Sequence, residues 1–479
     1  MNYKIIKHVI GWVLKIESVC MLLPFLCAII YGEKDMLFVY SICMFICAFF
    51  GFGLSFKAPE RKSMYAKEGF IIVALSWIVM SIFGALPFYI SKHIPSFVDA
   101  LFETVSGFTT TGASILKDVE ALPKSHLLWR SFTHWLGGMG VLVFLVAILP
   151  LSGGDNFYLM KAESPGPSVS KLVPKVKSTA KILYGIYIVM TIVQIVLLVL
   201  GDMNIFDSIT LSFGTAGTGG FSTRNSGISE YSSYSQIVIT IFMLLFGVNF
   251  SLYYLVLLGK GNSVLKSDEL RAYTGIVLTA IIIISINCFG IFGTWFESIK
   301  HSAFQVASII TTTGYSTCDF DLWPSLSKTV LVALMFIGAC AGSTGGGIKV
   351  SRFIILVKSI AKEIKIAAHP KAIHKITMDQ RPVEHETVRA VNVFMAAYLI
   401  IFAFSILIIS IDNFDFTTNF TAIAATINNI GPGLAKVGPV QNFSIFSPLS
   451  KIVLIFDMLV GRLEIFPLLI LFSPYTWKK

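Results

Sequence analysis

Ten stretches of about twenty apolar residues run through this chain, and each is long enough to cross a membrane as a helix. They cover residues 9–31, 36–56, 69–90, 131–150, 181–201, 236–258, 272–293, 329–357, 390–411 and 451–473. Only 13% of the 479 residues are charged, about half the share found in soluble domains. The sequence therefore predicts an all-α polytopic membrane protein.

The basic residues indicate on which side of the membrane each loop lies. If the N-terminus is cytoplasmic and every stretch crosses, cytoplasmic loops hold 25 of the 37 Lys and Arg residues and outer loops hold 10. The positive-inside rule describes this asymmetry, so we expect both termini in the cytoplasm. The net charge of +10 is then explained by topology and by contact with the lipid bilayer, without a nucleic-acid partner.

Motifs of enzymes and metal centres are missing from the sequence, which has no CxxC, HExxH or GxSxG. An intramembrane enzyme would need a nucleophile with a base, or a metal cluster, so we predict no enzyme and no catalytic residues. Several ionisable side chains fall near predicted membrane boundaries, where we expect them to be interfacial: Lys15, Glu17, His93, His126, His134 and His301.

Four outer loops share one pattern, a helix-compatible run of about ten residues followed by a Thr/Gly or Asn/Gly cluster. The loops are residues 97–114, 205–222, 296–316 and 416–433. A helix of ~10 residues rises only ~15 Å, so it enters a membrane without crossing it. Such a re-entrant segment is tolerated only where protein or water surrounds its backbone. The sequence therefore predicts four pseudo-repeated units, each a helix, a pore helix, a filter loop and a helix, around one pore.

The predicted units follow directly from the positions of these loops. Two N-terminal transmembrane helices (1–68) precede the first (69–178) and second (179–268) pore repeats. The third repeat (269–389) includes a broken last helix and a cytoplasmic linker, and the fourth covers 390–479.

Removing water from a small cation requires several oxygen atoms at fixed positions, and backbone carbonyls supply them without titratable charge. Glycine allows the backbone angles that turn such carbonyls inward, and Thr hydroxyls add further oxygens. A single cluster of this kind is typical of a surface turn, but four in corresponding places favour a pore filter. The predicted filter residues are Thr110, Thr111 and Gly112; Gly217, Thr218 and Gly219; Thr312, Thr313 and Gly314; and Asn429, Ile430 and Gly431.

The eighth stretch is interrupted by GACAGSTGGGIKV, residues 338–350, which we call the glycine-rich loop. Each glycine weakens a helix by ~1 kcal/mol relative to Ala, and a broken helix at membrane depth is acceptable where it lines a cavity. Close helix packing remains an alternative, whereas a phosphate-binding loop is disfavoured because Ile348 separates the last glycine from the lysine. We predict that the loop is a gate formed by Gly342, Ser343, Thr344, Gly345, Gly346, Gly347 and Lys349.

Arg462 is the second gate candidate, since it lies near the centre of the last stretch, where a charge costs ~3 kcal/mol or more. Asp457 and Glu464 lie on a different face of a helix, so we expect neither to neutralise it. The alternatives are an inter-helix salt bridge and snorkelling to the interface.

The four loops, the GGMG after the first (residues 137–140) and the AGSTGGGIK segment (341–349) resemble the Trk/Ktr/HKT superfamily of potassium transporters. The length and the two extra N-terminal helices resemble its TrkH/TrkG-type membrane subunits. The resemblance implies a homodimer with one pore in each chain, in a bacterial inner membrane. It also implies a cytosolic regulatory ring that binds NAD or ATP, while this chain itself binds only K⁺.

In that superfamily a glycine at the filter position goes with potassium selectivity, and a pore-facing arginine occupies the position of Arg462. We therefore expect potassium uptake through the filter, driven by the membrane potential. The fourth loop has Ile430 before its glycine and Pro432 after it, which predicts weaker discrimination than in a symmetric filter. The alternative is a secondary transporter of another cation, or symport of K⁺ with Na⁺ or H⁺.

Overall fold

A computed structural model of the protein describes residues 1–57, 65–140, 176–371 and 374–477. Within these ranges nearly all regular structure is helical, and the strands are the pair Thr377–Met378 and Arg381–Pro382. The helices are Tyr3–Cys20, Leu22–Tyr31, Lys34–Ser55, Ala66–Gly84, Leu86–Ile90, Phe97–Phe108, Lys124–Gly138, Val176–Leu200, Ile205–Gly217, Ser233–Phe246, Phe250–Leu257, Gly261–Leu265, Asp268–Phe292, Trp295–Ile310, Ser325–Met335, Val350–Ala368, His385–Ile409, Phe416–Ile427, Pro448–Arg462, Phe466–Phe472 and Pro474–Trp477. The predicted all-α fold class is confirmed.

Six helical segments in the described part of the chain are long and apolar enough to cross a membrane, and a seventh is the pair Ser233–Phe246 and Phe250–Leu257, bent by 91°. Two other predicted stretches are divided: the glycine-rich loop separates Ser325–Met335 from Val350–Ala368, and the last stretch breaks after Arg462. The predicted stretch 131–150 begins in the helix Lys124–Gly138, and its residues 141–150 lie outside the described residues.

The four predicted pore helices are present, and we call them the half-helices. They are Phe97–Phe108, Ile205–Gly217, Trp295–Ile310 and Phe416–Ile427. Each begins at a polar residue whose side chain accepts a hydrogen bond from a backbone N–H in the first turn, which satisfies a donor that the helix cannot. These residues are Ser96, Asn204, Thr294 and Asp415. The same local signal therefore starts all four half-helices.

The two N-terminal helical segments pack together where Gly11 and Gly51 meet, since a β-carbon on Gly11 would lie 2.8 Å from the Gly51 carbonyl oxygen. Glu17 lies in this packed region and is only 2% exposed, so its predicted interfacial position is wrong. Lys15 instead places its ammonium over the rings of Trp12 and Phe52.

A buried ion pair joins the first half-helix to the helix that follows it. Arg130 contacts Glu103 at 2.7 Å, with side chains 2% and 0% exposed. The second carboxylate oxygen of Glu103 accepts the backbone N–H of Ile115 at 3.0 Å, and the Arg130 guanidinium lies 4.0 Å from the centre of the Phe221 ring. This pair therefore fixes the first half-helix against both its own loop and the second one.

Replacing Glu103 with Ala leaves the Arg130 charge buried without its carboxylate, and we expect the free energy of unfolding to fall by ~3–5 kcal/mol. The matched control is Glu230→Ala, which breaks a pair between Arg224 and a carboxylate that is 58% exposed and should cost only ~0–1 kcal/mol. Thermal unfolding in detergent, followed by tryptophan fluorescence, measures both. Equal losses in the two variants would contradict the assigned role of the buried pair.

Candidate functional site

All four half-helices end in the same backbone turn. Thr110, Thr218, Thr312 and Asn429 each adopt a left-handed conformation, with φ between 54° and 58°. The next residue in each loop donates its backbone N–H to the carbonyl five positions earlier, at 2.8 or 2.9 Å: Thr111 to Ser106, Gly219 to Gly214, Thr313 to Ser308, and Ile430 to Ala425. This is the C-terminal cap that satisfies the last carbonyls of a helix. The four loops are therefore equivalent residue by residue.

This equivalence corrects the predicted second loop by one residue. The glycines two positions after the left-handed residues are Gly112, Gly220, Gly314 and Gly431, and each has positive φ. The sequence prediction placed Gly219 in this set, but Gly219 corresponds to Thr111, and Gly217 is the last residue of its half-helix. The GTGG segment offered two possible registers, and only the backbone geometry distinguishes them.

The four loops close into a ring through contacts between neighbours. A β-carbon on Gly112, Gly220 or Gly314 would overlap a carbonyl oxygen of the next loop, and one on Gly431 would lie 2.7 Å from such an oxygen. In chain order the pairs are Gly112 with Gly219, Gly220 with Thr313, Gly314 with Ile430, and Gly431 with Thr111. The last pair joins the fourth loop to the first. We call the carbonyls of Thr111, Gly219, Thr313 and Ile430 the carbonyl ring.

Oxygens of the carbonyl ring accept no hydrogen bond from any residue in the described ranges. The Thr hydroxyls, in contrast, have partners: Thr111 bonds Thr109, and Thr313 bonds Thr311, each at 2.8 Å. In the fourth loop the Asn429 amide donates to the Thr111 hydroxyl at 2.9 Å. The hydroxyls that we expected to supply further oxygens therefore brace the loops, and backbone carbonyls remain as the available acceptors.

His134 supports the second loop from behind. The place where a side chain on Gly219 would lie is occupied by the His134 ring, whose Nδ1 is 2.8 Å from the Gly107 carbonyl oxygen. Its Nε2 accepts the Phe221 backbone N–H at 3.3 Å, so the proton is on Nδ1. His134 and His126 are both fully buried, and their predicted interfacial positions are wrong.

A polar pocket of about 180 Å³ lies on the side of the ring where the loops leave it. All four ring glycines, Gly112, Gly220, Gly314 and Gly431, line it. Two arginines also line it, but Arg130 is paired with Glu103, and Arg224 with Glu230 at 3.0 Å. The pocket therefore forms a vestibule in which these two positive charges are neutralised.

The glycine-rich loop lies on the opposite side of the ring. The Gly346 N–H donates to the Thr312 hydroxyl at 2.7 Å, and a β-carbon on Gly346 would lie 2.7 Å from that of Asn429. The Cys340 N–H donates to the Gly247 carbonyl at 3.0 Å. The loop thus contacts the second, third and fourth repeats next to the loops that form the carbonyl ring.

Lys349 is 1% exposed and turns back onto this loop. Its ammonium donates to the carbonyls of Gly345 and Gly346. The predicted gate residues from Gly342 to Lys349 therefore form one compact unit, which Lys349 closes from within.

Arg462 completes the connection to the first repeat. Its guanidinium donates to the Thr344 carbonyl at 3.0 Å, to the Gly138 carbonyl at 2.9 Å and to the Thr110 hydroxyl at 3.3 Å. As predicted, the nearby acids have other partners, since Asp457 accepts from Ser405 and Glu464 pairs with Arg352.

Arg462 lies in the middle of the predicted stretch 451–473, but it is the last residue of a helix because the stretch is broken after it. The break follows at Glu464 and Ile465, with φ of 58° and 69°, a strained conformation for a β-branched residue. The helix end carries partial negative charge, which favours a cation there. The guanidinium thereby reaches Thr110 on the side of the carbonyl ring where the glycine-rich loop lies.

Comparison with known proteins agrees with this architecture. Residues 37–479 match the family model TrkH, described as a cation transport protein. The chain belongs to the TrkH family. The Trk system potassium uptake protein TrkH of Escherichia coli K12 is 36% identical over 486 residues, with 100% of both chains covered. The Trk system potassium uptake protein TrkG of the same strain is 36% identical, covering 100% of this chain and 99% of the relative.

A solved structure, the crystal structure of the potassium transporter TrkH from Vibrio parahaemolyticus, matches with a TM-score of 0.89. The two sequences are 34% identical, and each chain is covered completely. The resemblance to TrkH/TrkG-type subunits predicted from the four loops is therefore confirmed. The relatives are named as transporters, so this member of the TrkH family is a transport protein and not an enzyme.

His134→Ala removes two hydrogen bonds and opens a cavity behind Gly219, so we expect a loss of ~2–4 kcal/mol in the free energy of unfolding. The loosened second loop should also reduce discrimination between monovalent cations. His369→Ala, at an exposed position, is the matched control. Thermal unfolding and competitive cation flux in liposomes measure the two effects, and a variant as stable and as selective as the control would contradict this role of His134.

Proposed function

We propose that this protein takes up K⁺ through the carbonyl ring and that the glycine-rich loop and Arg462 gate the path. The observation that carries the proposal is the closed set of four glycine-to-carbonyl contacts. Carbonyls that have no donor partner can replace the water around a cation. Four half-helices also direct their partly negative C-terminal ends at the ring, which favours positive ions.

Two arguments support potassium as the cation. The relatives are named potassium uptake proteins and a potassium transporter, and each of the four corresponding loop positions here holds a glycine, at Gly112, Gly220, Gly314 and Gly431. An inside-negative potential of 100 mV would favour entry of each K⁺ by ~2.3 kcal/mol. The Asn429 brace keeps the fourth loop in register, although that loop lacks the Thr hydroxyls of the first and third.

The gate proposal rests on position and charge. The glycine-rich loop and Arg462 together contact all four repeats under the ring. A guanidinium and the Lys349 ammonium beneath a cation filter oppose the passage of K⁺, because like charges repel strongly where water is scarce. Moving the loop and Arg462 aside would open the path.

Control by a separate cytosolic subunit remains part of the proposal, and any NAD or ATP would bind there. The names of the relatives place them in a Trk system, which supports a multi-component assembly. The homodimer, the bacterial inner membrane and the cytoplasmic position of both termini are proposed on the superfamily resemblance and on the charge asymmetry of the loops.

Uptake of radioactive Rb⁺ into K⁺-loaded liposomes that contain the purified chain tests the function. External K⁺ should compete with Rb⁺ much better than Na⁺, and deletion of Gly345 to Gly347 should raise the uptake by removing the obstruction. Equal competition by Na⁺ would favour the alternative transporter of another cation. A deletion variant that folds but admits no Rb⁺ would contradict the pore.

Gly220→Ala should abolish or strongly reduce this uptake, because the new methyl group would overlap the Thr313 carbonyl oxygen of the ring and a left-handed Ala costs ~1 kcal/mol or more. Gly32→Ala is the matched control, since Gly32 also has positive φ but open space around it. Normal, K⁺-selective uptake of Rb⁺ by the Gly220→Ala variant would contradict the proposal that cations pass through the carbonyl ring.

Arg462→Ala should increase uptake by about tenfold or more, since removal of one opposed charge lowers the barrier by at least ~1.4 kcal/mol. Arg389→Ala, at an exposed position on the predicted cytoplasmic side, controls for loss of a basic residue. Unchanged uptake by correctly folded Arg462→Ala protein would assign the arginine to the scaffold only.

A further inference from the structure

A single carboxylate holds both ends of the glycine-rich loop. Oε1 of Glu269 accepts the backbone N–H of Ala341 at 2.7 Å and that of Ser351 at 3.0 Å. Ala341 lies near the start of the loop, and Ser351 is in the first turn of the helix Val350–Ala368 that follows it. Glu269 itself is only 7% exposed.

The residue beside Glu269 is tied to the predicted cytoplasmic side. The Asp268 N–H donates to the Asp379 carboxylate at 2.7 Å, and the Asp379 N–H donates back to the Asp268 carboxylate at 3.2 Å. Lys358 donates to the Asp268 carboxylate at 3.1 Å and to the Thr377 carbonyl at 2.7 Å. Asp379 lies in the turn between the two short strands, which together form a hairpin. The first two residues of the helix Asp268–Phe292 therefore contact both this hairpin and the glycine-rich loop.

We propose that Glu269 is the positioning residue that holds the glycine-rich loop closed, and that the hairpin around Asp379 acts on the loop through the helix start at Asp268. The loop interrupts its own helix, so contacts from outside add to the internal bonds of Lys349 in holding its closed shape. Hydrogen bonds from two backbone amides to one buried carboxylate are strong and directional. Loss of that carboxylate removes an anchor that both ends of the loop share, and the bond from the Cys340 N–H to the Gly247 carbonyl remains.

The helix start is a rigid connection between the two contacts. Asp268 and Glu269 are the first two residues of the helix Asp268–Phe292, whose cap is the Ser267 side chain. Acidic residues in a first turn are stabilised by the helix dipole. A displacement of the hairpin that moves Asp268 therefore moves Glu269 with it.

Cys340 supplies a direct readout, because it precedes Ala341 in the loop and is fully buried. In the purified full-length protein we expect a maleimide reagent to label Cys340 slowly, as located by peptide mass spectrometry. Glu269→Ala should raise its labelling rate by about tenfold or more, since loss of hydrogen bonds to a charged group favours the open form. Cys288, also fully buried, should not change and controls for general unfolding.

Two further variants separate positioning from stability. Glu269→Gln keeps an acceptor oxygen at the same place and should recover part of the slow labelling, even if Glu269→Ala fails to fold. Glu386→Ala removes an exposed acidic residue at the second position of another helix and should behave as wild type. Labelling of Cys340 at the wild-type rate in Glu269→Gln and in any folded Glu269→Ala protein would overturn the proposal.

The hairpin is tested by Asp379→Ala, which should raise the labelling rate of Cys340 severalfold in the wild-type background, by a smaller factor in the presence of Glu269→Gln, and not at all in the presence of Glu269→Ala. Full additivity would contradict transmission through Glu269. The effect on permeation rests on the proposed function, so Rb⁺ uptake is measured in parallel. Fast labelling of Cys340 without increased Rb⁺ uptake would refute the gate but leave the role of Glu269 in holding the loop. Increased Rb⁺ uptake with slow labelling of Cys340 would refute that role of Glu269.

Discussion

The structure depends on four backbone segments approaching each other so closely that no side chain fits between them. At each contact a glycine of one loop lies against a carbonyl of the next, and Gly431 against Thr111 closes the circle. This approach requires a left-handed residue after each half-helix, and the residues there are Thr or Asn, which adopt that conformation only at a cost of about 1 kcal/mol each. Two features offset that cost: the burial of these residues, and the hydrogen bonds from Thr111, Gly219, Thr313 and Ile430 to carbonyls five positions earlier.

The two sides of the closed ring differ in how their positive charges are held. On the vestibule side Arg130 and Arg224 are paired with the carboxylates of Glu103 and Glu230. On the opposite side, Lys349 and Arg462 donate to backbone carbonyls. The two vestibule arginines are thus paired with carboxylates, whereas the Lys349 and Arg462 side chains on the opposite side are held by backbone carbonyls.

Features that depend on local sequence were predictable. The spanning stretches follow from length and hydropathy, and the half-helices follow from short apolar runs that begin at capping residues such as Ser96 and Asp415. The glycine-rich loop was recognised because five glycines cannot sustain a helix there. All of these signals lie within one segment of the chain.

Features that depend on distant contacts were not predictable in the same way. The second loop contains adjacent glycines, so only its contact with Thr313 identifies Gly220 as the ring residue. Neither His134 nor Glu269 belongs to a motif, because each acts on a backbone far away in the sequence. The helix break after Arg462 arises at Ile465, a residue type whose preferences oppose that conformation.

The most direct test of the ring is an anomalous difference map from crystals of this protein grown in Rb⁺. If the carbonyl ring binds the cation, the map shows a peak on the central axis, surrounded by the carbonyl oxygens of Thr111, Gly219, Thr313 and Ile430. A well-ordered filter with no peak there, or a peak held only by side chains elsewhere, would contradict it.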